Sequence, residues 1–214
     1  MTLVAPCFDR TDYWRYFELD YAGMRVLDIG SSIGSYDKRG EFRGARGRIA
    51  KAASYVSLDI DAAARPGVVG DAHALPFGDG AFDVVLANNV IEHLHDPAKG
   101  VAEMHRVLAA HGQVLYTIPF LYPVHEAPHD YTRFTRYGLQ RLFRGFSAAE
   151  VHARGGFFST LAQLIFLLTR ALDSVKLGGV MRAICYPGLW LVVRLDRFDR
   201  TDAFTRVYYG RLRK

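Results

Sequence analysis

Residues 24–34 read MRVLDIGSSIG, an apolar run that ends in an aspartate and continues into a glycine-containing turn. Four further apolar runs follow, at residues 54–60, 67–70, 82–87 and 113–118. Before the last of these, Asp96 can cap a helix, Pro97 suits its first turn and Gly112 can end it. Buried strands separated by crossover helices indicate a mostly parallel sheet with helices on both faces. The sequence therefore predicts an α/β fold.

Length and composition are those of an ordinary globular domain. Half of the 214 residues are hydrophobic and 23% are charged. The first residues lack a basic segment followed by an apolar core, so no secretory signal is expected. The two cysteines, Cys7 and Cys185, define neither a disulfide framework nor a metal knuckle. We therefore expect a cytoplasmic protein.

The last part of the chain is both basic and apolar. Residues 131–214 hold 15 Lys and Arg against 5 Asp and Glu, whereas residues 1–130 hold 12 against 17. Two uncharged runs, 155–169 and 183–193, are shorter than the roughly 20 apolar residues of a transmembrane helix. Two interpretations stay open: a helical pair that caps the core, or a peripheral surface for anionic membrane or a lipid-linked substrate. Nucleic acid is not the expected partner, because the basic stretch 38–51 is typical of a solvated surface insertion.

Residues 125–129 read HEAPH and fit the written zinc-peptidase pattern H-E-x-x-H. That pattern binds zinc only on a helix, where the two histidines share one face. Pro128 lacks an amide hydrogen and displaces Ala127 from helical geometry, so His125 and His129 cannot share such a face. The segment needs another explanation.

The first five strands each end in residues that suit one ligand: Asp28-Gly30-Gly34, Asp59, Asp71-Ala72, Asn88 and Pro119. A dinucleotide is disfavoured, because side chains between Gly30 and Gly34 would crowd a pyrophosphate and Asp59 lies 29 positions beyond Gly30. Asp59 can instead accept hydrogen bonds from ribose hydroxyls, and Asp71 can accept one from an adenine amino group. S-adenosylmethionine has a ribose, an adenine and an amino-acid tail without phosphate.

The chain resembles the class I S-adenosylmethionine-dependent methyltransferases, in their small methyltransferase-domain (type 11-like) group. The resemblance covers residues 24–146 and rests on VLDIGSSIG, SLDID, GDAHALPFGDGAFDVVLANNVIEHLHDP, EMHRVLAAHGQVLYTIPF and HEAPHDYTRFTRYGL. It implies a Rossmann-like, seven-stranded, mostly parallel sheet whose last strand is antiparallel. We expect a single domain over 1–214, with an N-terminal helical segment (1–23), a cofactor-binding core (24–146), and C-terminal strands with an apolar, basic helical insertion (147–214).

The same resemblance implies the residues of the cofactor site. The methionine-side loop would contain Asp28, Gly30 and Gly34, the ribose site Asp59, the adenine site Asp71 and Ala72, and the methionine end Asn88. Ser32 stands where the family usually has glycine, which restricts close backbone approach there. Some relatives bind a divalent metal through E-x-x-E-H, but Asn89 occupies the first position here, so no metal site is expected.

His125 and His129 are the candidate catalytic residues, because their loop resembles the family's H-x-x-P-x-D-Y-x-R loop after the fifth strand. A base is needed only when the acceptor must lose a proton, and an unperturbed histidine has a pKa near 6.5. A purely architectural role for both histidines stays open, as does an ion pair between Asp130 and Arg133. His93 orients the loop, packs near the cofactor or acts as the base.

The overall expectation is a methyltransferase that acts on an oxygen, nitrogen or carbon atom of a small-molecule, sugar or lipid-linked acceptor. A glycan or lipid-linked glycan is the first acceptor to consider, because the basic, apolar tail could face both a membrane and an anionic group. The alternative from another class is a non-catalytic S-adenosylmethionine-binding module that regulates a partner.

Overall fold

The computed structural model describes residues 19–31, 48–199 and 201–214. These residues fall into two compact units. The core unit contains residues 19–31, 48–119, 126–152 and 208–214, and the second unit contains residues 120–125, 153–199 and 201–207. The single-domain organisation over 1–214 stays a prediction, and most of the N-terminal segment 1–23 lies outside the described residues.

The core unit is built on a mostly parallel sheet. Its strands are β1 (Arg25–Ile29), β2 (Ser54–Asp59), β3 (Val68–Val69), β4 (Phe82–Asn88), β5 (Leu108–Pro119), β6 (Ala148–Ala149) and, after a short β7 (His152–Arg154) at the unit boundary, β8 (Val207–Arg213). The spatial order is β3-β2-β1-β4-β5-β8-β6, with parallel pairing from β3 to β5 and antiparallel pairing of β6 with β8. The predicted Rossmann-like fold class with an antiparallel last strand is confirmed, although the described residues form eight strands rather than the seven expected.

Burial of β1 on both faces explains its nearly continuous apolar sequence. Val26 and Leu27 are fully buried, and their register partners on β4, Val84 and Val85, are fully buried too. Strands in the middle of a parallel sheet have such apolar sequences because helices cover both faces of the sheet. The central strands therefore form a rigid base for the polar residues that follow them.

Two helices of the core unit begin with side-chain caps, and the first of these caps is the one predicted at Asp96. α1 (Pro97–Val107) begins after Asp96, whose side chain accepts the amide hydrogen of Lys99 at 3.1 Å. α2 (Arg136–Leu142) begins after Thr135, whose hydroxyl accepts the amide hydrogen of Gly138 at 3.1 Å. Side-chain caps of this kind satisfy amides that have no partner inside the helix.

The end of α1 differs from the prediction. The helix ends at Val107 rather than at Gly112, and Leu108 already has extended backbone angles as the first residue of β5. Leu108 pairs with Phe82 of β4, and Lys214 Nζ donates to the Leu108 carbonyl at 2.7 Å. These partners are distant in sequence, so a prediction from local helix signals placed the end of the helix too late. The C-terminal strands expected before the helical insertion are two short strands, β6 and β7.

The second unit is mainly helical. α3 (Phe157–Ala171) and α4 (Gly178–Val193) pack together through a small apolar cluster, Ala162, Leu189 and Val193. The predicted apolar helical insertion before the last strand is confirmed. Within the described ranges, no helix has both the length and the apolar character needed to cross a membrane.

Replacing Leu27 by alanine tests the central strand. We expect Leu27→Ala to lower the free energy of unfolding by about 2–5 kcal/mol, because it removes a fully buried side chain and leaves a cavity. Val69→Ala, at a position that is 56% exposed, should change it by about 0.5 kcal/mol or less. Urea unfolding measures both, and equal effects of the two changes would contradict the assignment of β1 to the centre of the core.

Candidate active site

The carboxyl ends of β1 to β4 meet at one edge of the sheet. Asp28 of β1 lies opposite Ser57 of β2 and Leu86 of β4, and Asp59 of β2 lies opposite Val69 of β3. Neighbouring strands are about 4.8 Å apart, so residues at these four ends share a region about 15 Å wide. Strand order reverses at β1, which is where open α/β sheets bind their ligands. The structure brings together at this edge Asp28, Gly30, Asp59, Asp71, Ala72 and Asn88.

Gly30 forms the sharp turn that leaves β1. Its φ is +71°, in the left-handed region, and its amide donates to the Leu58 carbonyl at 2.8 Å. A β-carbon at this position would lie 2.7 Å from Val90 Cγ2. Both the backbone angle and the close packing therefore require glycine. Gly34 and Ser32, the other residues singled out in this loop, lie outside the described residues.

Asp28 is buried, with 1% of its surface exposed, and it is held by a tyrosine. The Tyr55 hydroxyl donates to Asp28 Oδ2 at 2.5 Å. Burial, and then the negative charge of Asp28, raise the pKa of Tyr55, which keeps its hydroxyl protonated as a donor. Sequence reasoning did not identify Tyr55, because a tyrosine within a strand is common and nothing local links it to β1.

Asp59 and the next residue combine a carboxylate with an apolar surface. Asp59 Oδ1 accepts the amide hydrogen of Asp61 at 2.9 Å, which fixes the side chain at the end of β2. Within the described part of the chain, Oδ2 has no hydrogen-bond partner. Ile60 is 72% exposed, an unusual position for isoleucine at a strand end. This pair can bind hydroxyl groups and a flat ring at neighbouring positions.

Asp71 is oriented by a buried histidine. Its Oδ1 accepts hydrogen bonds from the His73 amide at 2.8 Å and from His73 Nδ1 at 2.6 Å. His73 Nε2 accepts the Asp96 amide hydrogen at 3.2 Å, so in the neutral ring the proton is on Nδ1. The hydrogen bonds from the His73 amide and then from its ring lower the pKa of Asp71. Asp71 is thus kept ionised in a defined orientation.

The other predicted residues of this edge occupy structurally defined positions. Thr117 of β5 is the register partner of Asn88, and its hydroxyl donates to Asn88 Oδ1. Asn89, the next residue, has a φ of +53°, so the chain turns sharply as it leaves β4. Ala72 is 7% exposed and follows Asp71 directly. A small side chain at Ala72 leaves room beside the carboxylate.

The loop that contains His129 is held against the turn after β4. The amides of Tyr131 and Thr132 donate to the Glu92 carbonyl at 3.0 and 3.2 Å. His93 Nδ1 donates to the His129 carbonyl at 2.7 Å. His129 Nδ1 lies 2.8 Å from the Tyr131 hydroxyl. This hydrogen bond lets His93 orient the loop, which is one of the three roles expected for it.

An ion pair closes the same loop. The Arg133 guanidinium donates to both carboxylate oxygens of Asp130 at 2.5 Å, and the Asp130 side chain is 1% exposed. The hydrogen bond to Asp130 raises the pKa of Arg133. Residues 125–129 are not helical, so His125 and His129 do not form the helical face of a zinc peptidase. His125 belongs to the second unit, where its ring lies 5.4 Å from that of Tyr122.

Residues 27–116 match the family described as "Methyltransferase domain". A demethylmenaquinone methyltransferase from Thermobifida fusca is 33% identical over 118 residues, covering 50% of this chain and 50% of that protein. The ubiquinone/menaquinone biosynthesis C-methyltransferase UbiE from Haemophilus ducreyi is 28% identical over 137 residues, covering 56% of this chain and 53% of that protein. The chain spans about half the length of the curated relatives it matches.

Solved structures show the same fold. A phosphoethanolamine N-methyltransferase 2 from Haemonchus contortus, in complex with S-adenosyl-L-methionine, superimposes with a TM-score of 0.58 at 18% identity, covering 94% of this chain and 50% of that one. An S-adenosylmethionine-dependent methyltransferase from Mesorhizobium loti gives a TM-score of 0.55 at 15% identity, covering 94% of this chain and 96% of that one. At such low identity these structures establish the fold alone.

Replacing Gly30 by alanine tests the turn after β1. Gly30→Ala should weaken binding of S-adenosylhomocysteine and lower stability by more than about 1 kcal/mol, because it combines a left-handed backbone with a 2.7 Å contact to Val90. Gly80→Ala is the matched control, since Gly80 has a φ of +68° but only a 3.8 Å contact. Calorimetric titration and thermal unfolding give the two readouts. Equal effects of both changes would contradict a special role for Gly30.

Two substitutions at His73 test the orientation of Asp71. Asn places an amide donor near the position of Nδ1, so His73→Asn should keep affinity for S-adenosylhomocysteine within about threefold. His73→Gln loses that donor and should weaken binding about five- to tenfold. The carboxylate is the accepting form, and His73 lowers its pKa, so the acid-side loss of affinity should move to higher pH in His73→Gln. Identical titration curves for the two variants would refute this role.

Proposed function

We propose that this chain is a class I S-adenosylmethionine-dependent methyltransferase of the type 11 group and transfers a methyl group to a small-molecule acceptor. The observation that carries the proposal is the placement of Asp59 and Asp71 at adjacent strand ends, next to the Gly30 turn. Two oriented carboxylates at this spacing suit a nucleoside with hydroxyl groups at one end and an amino group at the other. The match of residues 27–116 to the methyltransferase-domain family supports the same conclusion.

The donor set at this edge fits S-adenosylmethionine. Asp59 would accept hydrogen bonds from the ribose hydroxyls, and Asp71 would accept one from the adenine amino group. Exposed Ile60 would cover one face of the adenine ring. Asp28, Gly30 and Gly34 would surround the amino-acid tail of the cofactor. Ala72 would lie beside the adenine, and Asn88 would lie at the methionine end. When bound, this cofactor supplies a methyl group activated by a positively charged sulfur.

The acceptor that we favour is a quinone-type ring in its reduced form. The relatives from Thermobifida fusca and Haemophilus ducreyi are named as methyltransferases of menaquinone and ubiquinone biosynthesis. Because of these names, we favour an aromatic small molecule as the acceptor over the glycan that was expected first. A sugar or lipid-linked acceptor remains the second choice, supported by the basic and apolar residues of the second unit.

A base is required if the acceptor is a ring carbon, because loss of a hydroxyl proton makes that carbon nucleophilic. We propose His125 and His129 for this role. The Tyr131 hydroxyl, 2.8 Å from His129 Nδ1, restricts the orientation of the His129 ring. The hydrogen bond from His93 to the His129 carbonyl further holds the backbone of that residue. A positioned histidine of this kind typically contributes about 10²- to 10⁴-fold to a proton-transfer step.

Turnover of radiolabelled S-adenosylmethionine with reduced demethylmenaquinone tests the proposed function. Asp59→Ala and Asp71→Ala should each weaken cofactor binding about tenfold or more, because each removes a charge-assisted hydrogen bond. Asp20→Ala is the control, since Asp20 is an exposed carboxylate before β1, away from the strand ends. Cofactor binding without transfer to any quinol, glycan or small-molecule acceptor would favour the non-catalytic regulatory module instead.

The histidines are tested separately from the cofactor site. His129→Gln or His125→Gln should lower kcat by about 10²-fold or more at pH 7, with unchanged cofactor affinity. His152→Gln, at an exposed residue of β7, provides the control. An unchanged kcat in both variants would exclude these histidines as bases and leave them architectural roles.

A further inference from the structure

The two helices of the second unit expose apolar stripes. The stripe on α3 contains Phe157, Leu161, Leu164 and Leu168, and the stripe on α4 contains Val180, Ile184 and Leu191; Trp190 of α4 is exposed as well. In each helix these positions recur at intervals of three, four or seven residues, which places them on one face. Leu164 is 57% exposed, Leu168 60% and Ile184 67%. We call these two sets the apolar stripes.

The apolar stripes are not the packing faces of the two helices. Ala162 and Phe166 of α3 are buried, as are Leu189 and Val193 of α4. Helix packing thus uses other residues, and the stripes remain solvent-exposed among the residues that the structure describes. Contiguous exposed apolar surface on this scale is typical of an interaction site.

Exposed cations accompany the apolar residues. Arg194 lies over the ring of Trp190, with its guanidinium carbon 3.3 Å from the ring centroid, and Arg197 lies 4.6 Å from the centroid of Phe198. Lys176 is exposed immediately before Leu177, which is 55% exposed. Each cation can keep its head in water while its stem and the neighbouring apolar side chain enter a less polar layer.

Three acidic residues of this unit have hydrogen-bond or ion-pair partners within the unit. Asp196 accepts the Phe158 amide hydrogen at 2.9 Å and Asp199 accepts that of Phe157 at 2.8 Å, so both serve the start of α3. Asp173 pairs with Arg182 at 2.8 Å. Their charge is therefore directed at the unit itself, which leaves the exposed Lys176, Arg194 and Arg197 to face an external partner of negative charge.

We propose that the apolar stripes and their flanking cations dock on a bilayer that contains anionic lipid, with α3 and α4 lying in the interface rather than crossing it. The helices have 15 and 16 residues, fewer than the roughly 20 needed to span. A second copy of the chain fits less well, because a two-fold interface would place the same positively charged patch on both sides of the contact. Apolar and aromatic side chains mixed with arginine and lysine are instead the composition of interfacial helices.

Vesicle flotation of the full chain tests the apolar contribution. The chain should float with vesicles of phosphatidylcholine and phosphatidylglycerol, and more weakly with phosphatidylcholine alone. Leu164→Asp and Ile184→Asp should each lower the partition coefficient about tenfold or more, because each removes a leucine- or isoleucine-sized group from the lipid contact. Tyr137→Asp is the control, since Tyr137 is 79% exposed on α2 of the core unit. Unchanged melting temperatures establish that the variants are folded.

A charge-removal series separates lipid docking from other outcomes. Arg194→Gln combined with Arg197→Gln should weaken binding to anionic vesicles and flatten its salt dependence, whereas Arg141→Gln combined with Arg144→Gln on the core unit should not. Failure to float, or equal flotation of Leu164→Asp and the wild type, overturns the proposal. Light scattering that shows a dimer dissociated by Leu164→Asp overturns it in favour of a second copy. Cofactor titration of the same variants reports separately on the proposed cofactor site, and turnover of radiolabelled S-adenosylmethionine reports on the proposed methyl transfer.

Discussion

The parallel register of β1 with β2 and β4 is the constraint on which the candidate site depends. Leu27 and its neighbours are buried on both faces, so a shift of one residue would place Asp28 in the position of an apolar residue. With the register fixed, Gly30 must turn directly beneath Val90, and Asp59 must end its strand beside Val69. Core packing thus determines where the carboxylates lie before any ligand is present.

The side chains proposed to bind the cofactor are oriented by hydrogen bonds to other residues. Tyr55 holds Asp28, His73 holds Asp71, and Thr117 holds Asn88. Each partner lies on a neighbouring strand or in the following turn, so it adds little conformational entropy cost when a ligand binds. Preorganised acceptors of this kind favour a ligand whose donors match their fixed positions. In the proposed site, hydrogen bonds between protein side chains would therefore contribute to ligand specificity.

Much of this arrangement follows from local sequence, and the remainder depends on distant partners. The strands around Asp28, Asp59 and Asn88 could be predicted because each is a short apolar run that ends in a polar residue. The helix cap at Asp96 could likewise be predicted from the sequence. The role of His73 could not be, because its Nε2 partner lies 23 positions later in the chain. The early end of α1 also escaped prediction, since it depends on pairing between Leu108 and Phe82.

The central claim is that Asp59 and Asp71 bind one adenosine-bearing molecule at the edge of the sheet. A crystal structure of the chain with S-adenosylhomocysteine tests this most directly. The account predicts Asp59 within about 3 Å of the ribose hydroxyls and Asp71 within about 3 Å of the adenine amino group. A bound nucleoside that contacts neither carboxylate, or crystals grown with saturating ligand that contain none, would contradict it.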